Sequence, residues 1–152
     1  MSRAFFEEVV ETLIGFLPPE QSRFSSRVTA RNAKIWFGAE AREHYEAQLL
    51  RRDGGTVLEI GFHAEHPDAA RSEAVLQRLL AGERRWRRAL GREVETGPFL
   101  GRPSPWRRAS ETWPDADLAD HGTAVEAADR LAAYIIALEP LRAGARKEAG
   151  RR

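Results

Sequence analysis

The feature that most constrains this fold is the stretch 23–63, where apolar and polar residues alternate. A period of two is typical of β-strands that bury one face. Asp53-Gly54-Gly55 is a good hairpin turn, and Arg31-Asn32 and Gly38 are further breaks. The predicted strands cover residues 23–31, 33–37, 42–51 and 56–63. The stretch therefore predicts an antiparallel meander with one apolar and one polar face.

Apolar residues at helical spacing lie on both sides of this meander. The predicted helices cover residues 3–17, 67 to about 91, and 123 to about 140. Thr123 and Glu126 form a capping box at the start of the last helix, and Pro140 is expected to bend or end it. Two shorter strands are predicted at residues 97–101 and 106–113. The predicted fold class is α+β, with the order α-ββββ-α-ββ-α and the helices on one face of an antiparallel sheet.

Length and composition predict one domain. A chain of 152 residues with 42% hydrophobic and 31% charged residues can bury a core. We expect residues 1–143 to form a single α+β domain and residues 144–152 to be a disordered basic tail. The sequence contains no stretch of about 18 apolar residues and no signal-peptide core, so we expect a cytoplasmic protein without membrane contact.

Charge and cysteine content exclude several classes of site. The chain has no cysteine, which excludes disulfides and thiolate metal ligands. The net charge is +1, so no global field favours nucleic acid. Arginine supplies 22 of the 24 basic residues, and the other two are Lys34 and Lys147. GC-rich coding explains this imbalance, so arginine density alone is not a functional signal.

Histidine and glutamate side chains on the third and fourth strands form the first candidate site. If these strands pair, His44, Glu46, Glu59 and His63 all point off the apolar face. Two imidazoles with carboxylates can bind zinc or another divalent ion. The spacing His63-x-Glu65-His66 is not that of a helical zinc motif, and a plain polar sheet face is the alternative. We expect no cofactor, no bound metal and no catalytic residue; the metal candidates are His44, Glu46, His63, Glu65 and His66.

A basic helix face forms the second candidate site. At 100° per residue four arginines share the face opposite the apolar stripe, while Arg87 can pair with Glu83. These four are Arg84, Arg85, Arg88 and Arg92. They could bind phosphates or another anion; alternatively, the acidic stretch that includes Asp115, Asp117 and Asp120 could neutralise them within the fold.

Tryptophans form the third candidate feature. Trp106 and Trp113 lie beside proline or arginine at predicted strand ends. Tryptophan is enriched at protein interfaces because it brings a large area at a small entropic cost. We therefore regard these two residues as candidates for an interface or for the core.

The element order resembles that of the type III secretion chaperone-like fold. That resemblance implies a dimeric, non-catalytic protein that binds another protein, although secretion chaperones tend to be acidic and this chain is near neutral. The block Leu90–Leu141, with Trp106, Trp113 and Ala128-Asp129-Arg130-Leu131, is similar to part of a bacterial domain found beside restriction-type nucleases. That similarity implies an accessory role near nucleic acid.

Three functions follow from these observations. The first is a non-catalytic protein-binding module, chaperone-like or an adaptor, that forms a homodimer and has another protein as its partner. The second is a nucleic-acid-associated accessory protein of a bacterial defence or restriction system. The third is a metal-dependent enzyme that uses the region of His44, His63 and His66. The sequence has no nucleophilic-serine motif and no phosphate-binding glycine loop.

Overall fold

Six strands form one antiparallel sheet in the order β1-β2-β3-β4-β6-β5. The structure, a computed structural model, describes residues 2–52, 54–99 and 104–150, with backbone alone for 145–150. The strands are β1 (Ser25–Val28), β2 (Asn32–Trp36), β3 (Glu43–Arg52), β4 (Gly55–Ala64), β5 (Glu95–Pro98) and β6 (Arg107–Pro114). Residues 100 and 101 of the predicted fifth strand and Asp53 of the predicted turn lie outside the described residues.

Four helices pack against this sheet. They are α1 (Ser2–Phe16), α2 (Ala69–Leu80), α3 (Glu83–Leu90) and α4 (His121–Gly150), with a short 3₁₀ turn at Pro19–Gln21. Helix α4 contacts the other three helices as well as β3 and β4. The predicted α+β class and element order are confirmed. None of the helices in the described part of the chain is long and apolar enough to cross a membrane.

The core lies between the sheet and the helices. Tyr45 and Ala47 of β3 and Leu58, Ile60 and Phe62 of β4 are all at most 1% exposed. These residues alternate with the polar ones, so the pleat directs them to the helix side. Burying one such aliphatic or aromatic side chain contributes about 1.5–3 kcal/mol. The alternation in residues 23–63 thus places the hydrophobic core on one face of the sheet and leaves the other face polar.

The second predicted helix is two helices, α2 and α3, with a break at Ala81 and Gly82. The break lets the chain pass close to α4, since a Cβ at Gly82 would lie 2.8 Å from Leu141 Cδ1. The indole of Trp86 donates a hydrogen bond to the Leu79 carbonyl (2.8 Å), near the end of α2. The apolar stripe alone predicts one continuous helix, but close packing of Gly82 against α4 accompanies a break into two helices.

Helix α4 differs from its prediction at both ends. It begins at His121, and the Asp120 carboxylate accepts from the Gly122 amide (2.9 Å), so the predicted capping box at Thr123 lies inside the helix. It continues through Pro140. The carbonyl that this proline leaves unbonded, that of Ile136, belongs to a residue 47% exposed, so water can reach it. The helix also includes residues 144–150, because Ala, Arg, Lys and Glu favour helix.

Candidate functional site

The polar face of the sheet carries a buried cluster of histidines and glutamates. His44 of β3 lies directly opposite His63 of β4, and Glu46 lies opposite Gly61. His44, Glu46, Glu59 and His63 are at most 2% exposed. The Phe99 ring covers His63 edge-on, with 5.0 Å between ring centroids. The prediction that these four side chains leave the apolar face is confirmed, and they are as buried as the core.

Four of the five predicted metal candidates converge on one point. The ligand atoms of His44, Glu46, His63 and Glu65 all lie within 4.8 Å of one another. His44 Nε2 is 2.9 Å from Glu46 Oε1 and 3.5 Å from Glu65 Oε2. His63 Nδ1 is 3.1 Å from the same Glu46 oxygen and 3.2 Å from the same Glu65 oxygen. Two imidazole nitrogens therefore face the same two carboxylate oxygens. We call these four residues the His–Glu cluster.

Hydrogen bonds outside the cluster set the orientation of each imidazole. His44 Nδ1 lies 2.9 Å from the Ala41 carbonyl, which can only accept, so Nδ1 carries a proton. His63 Nε2 lies 3.0 Å from Glu59 Oε2, so Nε2 donates to that carboxylate. A neutral imidazole has one N–H and one lone pair. The inner nitrogens, His44 Nε2 and His63 Nδ1, therefore hold the lone pairs in the neutral rings.

The carboxylates are held by neutral donors. Glu46 Oε2 accepts from Asn32 Nδ2 (2.8 Å). Glu59 accepts from Gln48 Nε2 (2.6 Å) and from the Ser110 hydroxyl (2.7 Å). Asn32 and Gln48 engage oxygens that the histidines do not contact, whereas Ser110 shares Glu59 Oε2 with His63. All three donors fix the rotamers of the carboxylates without supplying positive charge to the centre.

Burial and neighbouring charge shift the pKa values of the cluster in opposite directions. Burial by itself would raise the pKa of Glu46, but hydrogen bonds and charge from His44 and His63 outweigh it and lower this pKa to about 2. Burial would lower the pKa of His63, yet Glu59, Glu46 and Glu65 hold it well above the usual value. The pKa of His44 is raised in the same way, against burial, by Glu46 and Glu65. The carboxylates are therefore ionised, and they favour the protonated, positively charged form of both imidazoles.

The His–Glu cluster together with the adjoining Glu59 requires two positive units for charge balance. Lys34 Nζ lies 3.7 Å from Glu65 Oε1, and in the described part of the chain it is the one lysine or arginine in ion-pair contact with Glu46, Glu59 or Glu65. Arg108, also on this face, is already paired with Glu95 (2.7 Å). Three carboxylates, those of Glu46, Glu59 and Glu65, stand against the single ammonium group. Two protons on the imidazoles or one divalent metal ion would neutralise the remainder.

The donor set fits a divalent transition metal. Two imidazole nitrogens and two carboxylate oxygens match ions such as Zn²⁺, Fe²⁺ or Mn²⁺. His66, the fifth predicted candidate, is not part of the cluster, because its Nε2 contacts Glu43 Oε2 (2.8 Å). The other Glu43 oxygen lies 3.4 Å from Arg142 of α4, so His66 belongs to the helix side of the sheet.

An open cavity of about 670 Å³ borders the cluster on the polar face. Four of its lining residues contact the cluster or Glu59, the carboxylate that binds His63. These residues are Asn32, Lys34, Gln48 and Phe99. The same cavity is lined by Arg27, Arg31, Arg51 and Arg52; we call it the arginine groove. The sequence analysis did not identify these arginines. Pairing β1 with β2 would have placed Arg27 opposite Lys34, but the register was not known.

The predicted basic helix face is exposed, with Arg84, Arg85 and Arg88 on α3 and Arg92 just after it. Arg87 pairs with Glu83 (3.1 Å), as predicted. Among the described residues no ion pair joins the four arginines to Asp115, Asp117 or Asp120, so the expected neutralisation by the acidic stretch is not formed. The proposed anion-binding role of this face stays a prediction.

The two candidate interface tryptophans differ in exposure. Trp106 is 37% exposed and packs edge-on against Phe99, with 5.9 Å between centroids. Trp113 packs against the core, and its indole donates to Glu111 Oε2 (2.8 Å). Trp106 therefore offers more free surface than Trp113, and an interface role for either stays a prediction.

Comparison with protein-family models, with curated proteins and with solved structures finds no match for this chain. The His–Glu cluster and the arginine groove are therefore the features from which a function can be inferred.

Proposed function

We propose that this protein binds one divalent transition-metal ion in the His–Glu cluster and acts as a metal-dependent enzyme. The orientation of the two imidazoles carries the proposal. Each ring donates its outer N–H to a fixed oxygen and directs its inner nitrogen at the same two carboxylate oxygens. An outer N–H bonded to a carbonyl or carboxylate is the usual arrangement of metal-binding histidines.

The surroundings favour a catalytic rather than a structural metal. Structural zinc sites are rich in thiolates, and the chain has no cysteine. The hydrophobic core lies on the opposite face of the sheet and does not include the cluster. Glu65 is the most exposed of the four ligands, at 14% for its side chain, and the groove reaches its partner Lys34. Among the described residues none of the four ligands lines the groove itself, so a substrate oxygen would reach the metal past Lys34 and Glu65, where the metal would polarise that oxygen or lower the pKa of bound water.

The other two functions, which the sequence analysis placed first and second, now rank below the metal site. A protein-binding homodimer and an accessory role beside nucleases remain predictions, since neither rests on a feature as specific as four converging ligand atoms.

Titration of EDTA-treated protein with ZnCl₂ by isothermal calorimetry tests the proposal. We expect one zinc ion per chain. Replacing Glu65 by Gln, or His44 by Gln, should abolish this stoichiometric binding, because each substitution removes a ligand. His121→Gln is the matched control, since the His121 side chain is 77% exposed and outside the cluster. Circular dichroism shows whether each variant is folded.

Thermal unfolding gives a second measurement of zinc binding. Free zinc at about 100 times its Kd should stabilise the fold by about 2.7 kcal/mol, which corresponds to a rise in Tm of about 5–11 °C for a chain of this size. Absence of zinc binding by folded wild-type protein, or equal binding by the Glu65→Gln variant, would reject the metal centre.

A further inference from the structure

We infer that the arginine groove binds a ligand that carries two or more phosphate groups, of which a nucleoside diphosphate is the simplest form. The inference names the substrate class of the proposed metal site and rests on that proposed function. Three observations carry it: the charge of the groove, its size and its contact with the cluster.

The charge of the groove is unbalanced. Among the described residues, its lining contains five basic residues and no acidic one. None of Arg27, Arg31, Arg51 and Arg52 forms an ion pair with a carboxylate in the described part of the chain, and Lys34 alone has a partner, Glu65. Arg52 is half-buried, so its guanidinium is partly desolvated without a compensating charge. The described lining of the groove therefore carries an excess of positive charge, which an anion would balance.

Arginine-rich coding does not explain this clustering. The other described arginines that are at least half-buried all have carboxylate partners, at 3.7 Å for Arg107–Glu73 and at 3.1 Å or less for the remaining four. Those pairs are Arg87–Glu83, Arg108–Glu95, Arg130–Glu111 and Arg142–Glu139. Arg52 is thus the exception among the half-buried arginines, and the exposed Arg27, Arg31 and Arg51 line the same cavity. Guanidinium groups bind phosphate through paired N–H donors, which makes phosphate the best matched anion.

The size and lining of the groove fit a nucleotide. A volume of about 670 Å³ lies within the range of small-molecule sites, and one inorganic phosphate would occupy a small part of it. Phe99 lines the groove and is half-buried, so it offers a ring on which a base can stack. A nucleoside diphosphate carries about three negative charges near neutral pH, which four arginines can pair.

The groove also meets the metal site. Lys34 lines it and contacts Glu65, while Asn32 and Gln48 line it and donate to Glu46 and Glu59. A phosphate bound beside Lys34 is therefore next to the ligands of the proposed metal. Metal ions commonly bridge phosphate oxygens to protein carboxylates, so the two sites form one binding region.

Calorimetric titration with ADP, once in EDTA and once with ZnCl₂, tests the inference. We expect one ADP per chain in EDTA, tighter binding with zinc, and much weaker binding of inorganic phosphate. An Arg27→Ala, Arg52→Ala double variant should lose about a hundredfold in affinity, because each charge-assisted hydrogen bond contributes about tenfold. An Arg84→Ala, Arg88→Ala double variant removes the same charge from α3 and should bind ADP like the wild type.

The outcomes separate this inference from the proposed function. ADP binding in EDTA that depends on Arg27 and Arg52, without zinc binding, would reject the metal centre and keep the groove. Zinc binding without ADP binding would keep the metal centre and overturn the inference. Equal losses in the two double variants would also overturn it, as would binding of a single-stranded oligonucleotide in preference to ADP, since that result requires a longer surface than the groove.

Discussion

Raising the pH from about 6 to about 8 should destabilise the metal-free protein and stabilise the zinc-bound protein. In the metal-free state the folded pKa values of His63 and His44 are raised above the ordinary 6.5. The folded state therefore binds more protons than the unfolded state above this pH, and stability falls as the pH rises through the folded pKa values. Zinc requires neutral imidazoles, so its affinity increases over the same interval.

The magnitude follows from the number of protons. Two imidazoles that keep their protons only in the folded state give a slope of up to about −2.7 kcal/mol per pH unit. Both side chains are at most 1% exposed, so solvent screens little of this effect. At the acidic end, Glu46 contributes stability that is present above 4.5 and lost as the pH falls toward its folded pKa of about 2. The metal-free protein should thus be most stable between about 4.5 and 6.5.

Differential scanning calorimetry in EDTA and in excess ZnCl₂ measures both slopes. We expect the Tm in EDTA to fall between pH about 6 and 8 while the gap between the two conditions widens. The Glu59→Gln variant should show a shallower decline in EDTA, because Glu59 is the charge that most raises the pKa of His63. A Tm in EDTA that stays constant or rises across this interval would show that the imidazoles of His44 and His63 are not protonated in the folded metal-free protein. That result would refute the conclusion that the carboxylates need positive charge from these imidazoles.

Two further predictions concern the sheet and the assembly. Gly61→Ala should lower the free energy of unfolding in urea by about 1–3 kcal/mol, because Gly61 has φ +156° and a Cβ there would lie 2.5 Å from the Ala109 carbonyl oxygen. Gly15→Ala is the control, since a Cβ at Gly15 would have nothing within 4 Å. Equal effects of the two substitutions would contradict the close approach of β4 and β6. Light scattering should report about twice the 17.1 kDa chain mass if the predicted homodimer forms, and a monomer at high concentration would reject it.

The strand alternation predicted most of the fold and half of the site. A strand directs successive side chains to opposite faces, so the spacing alone placed His44 and Glu46 on one polar face. The sequence could not predict that His63 lies opposite His44, because that distance depends on the β3–β4 register. Glu65 and His66 were not separated because the predicted strand ended at residue 63; in the structure the alternation continues, so Glu65 enters the cluster and His66 contacts Glu43 on the other side.

Residues from distant strands were beyond prediction for a related reason. Ser110 reaches Glu59 because β6 lies beside β4, a pairing across a helical segment that no local pattern determines. The arginine groove combines Arg27 of β1 with Arg52 at the end of β3, and its charge is visible only once their strands share a sheet.

Two buried polar networks in this protein differ in a way that bears on function. On the helix side, Glu111 Oε1 accepts from the Tyr134 hydroxyl (2.7 Å) and from Arg130 Nε (2.8 Å). That network matches donors to an acceptor and needs no further group. In the His–Glu cluster the outer positions are matched in the same way, but each inner nitrogen faces two carboxylate oxygens, a contact that is favourable only with a proton on that nitrogen or a metal ion between them. Apolar residues in such a place would usually be no less stabilising, so a cluster that still requires a cation is better explained by binding one than by stabilising the fold.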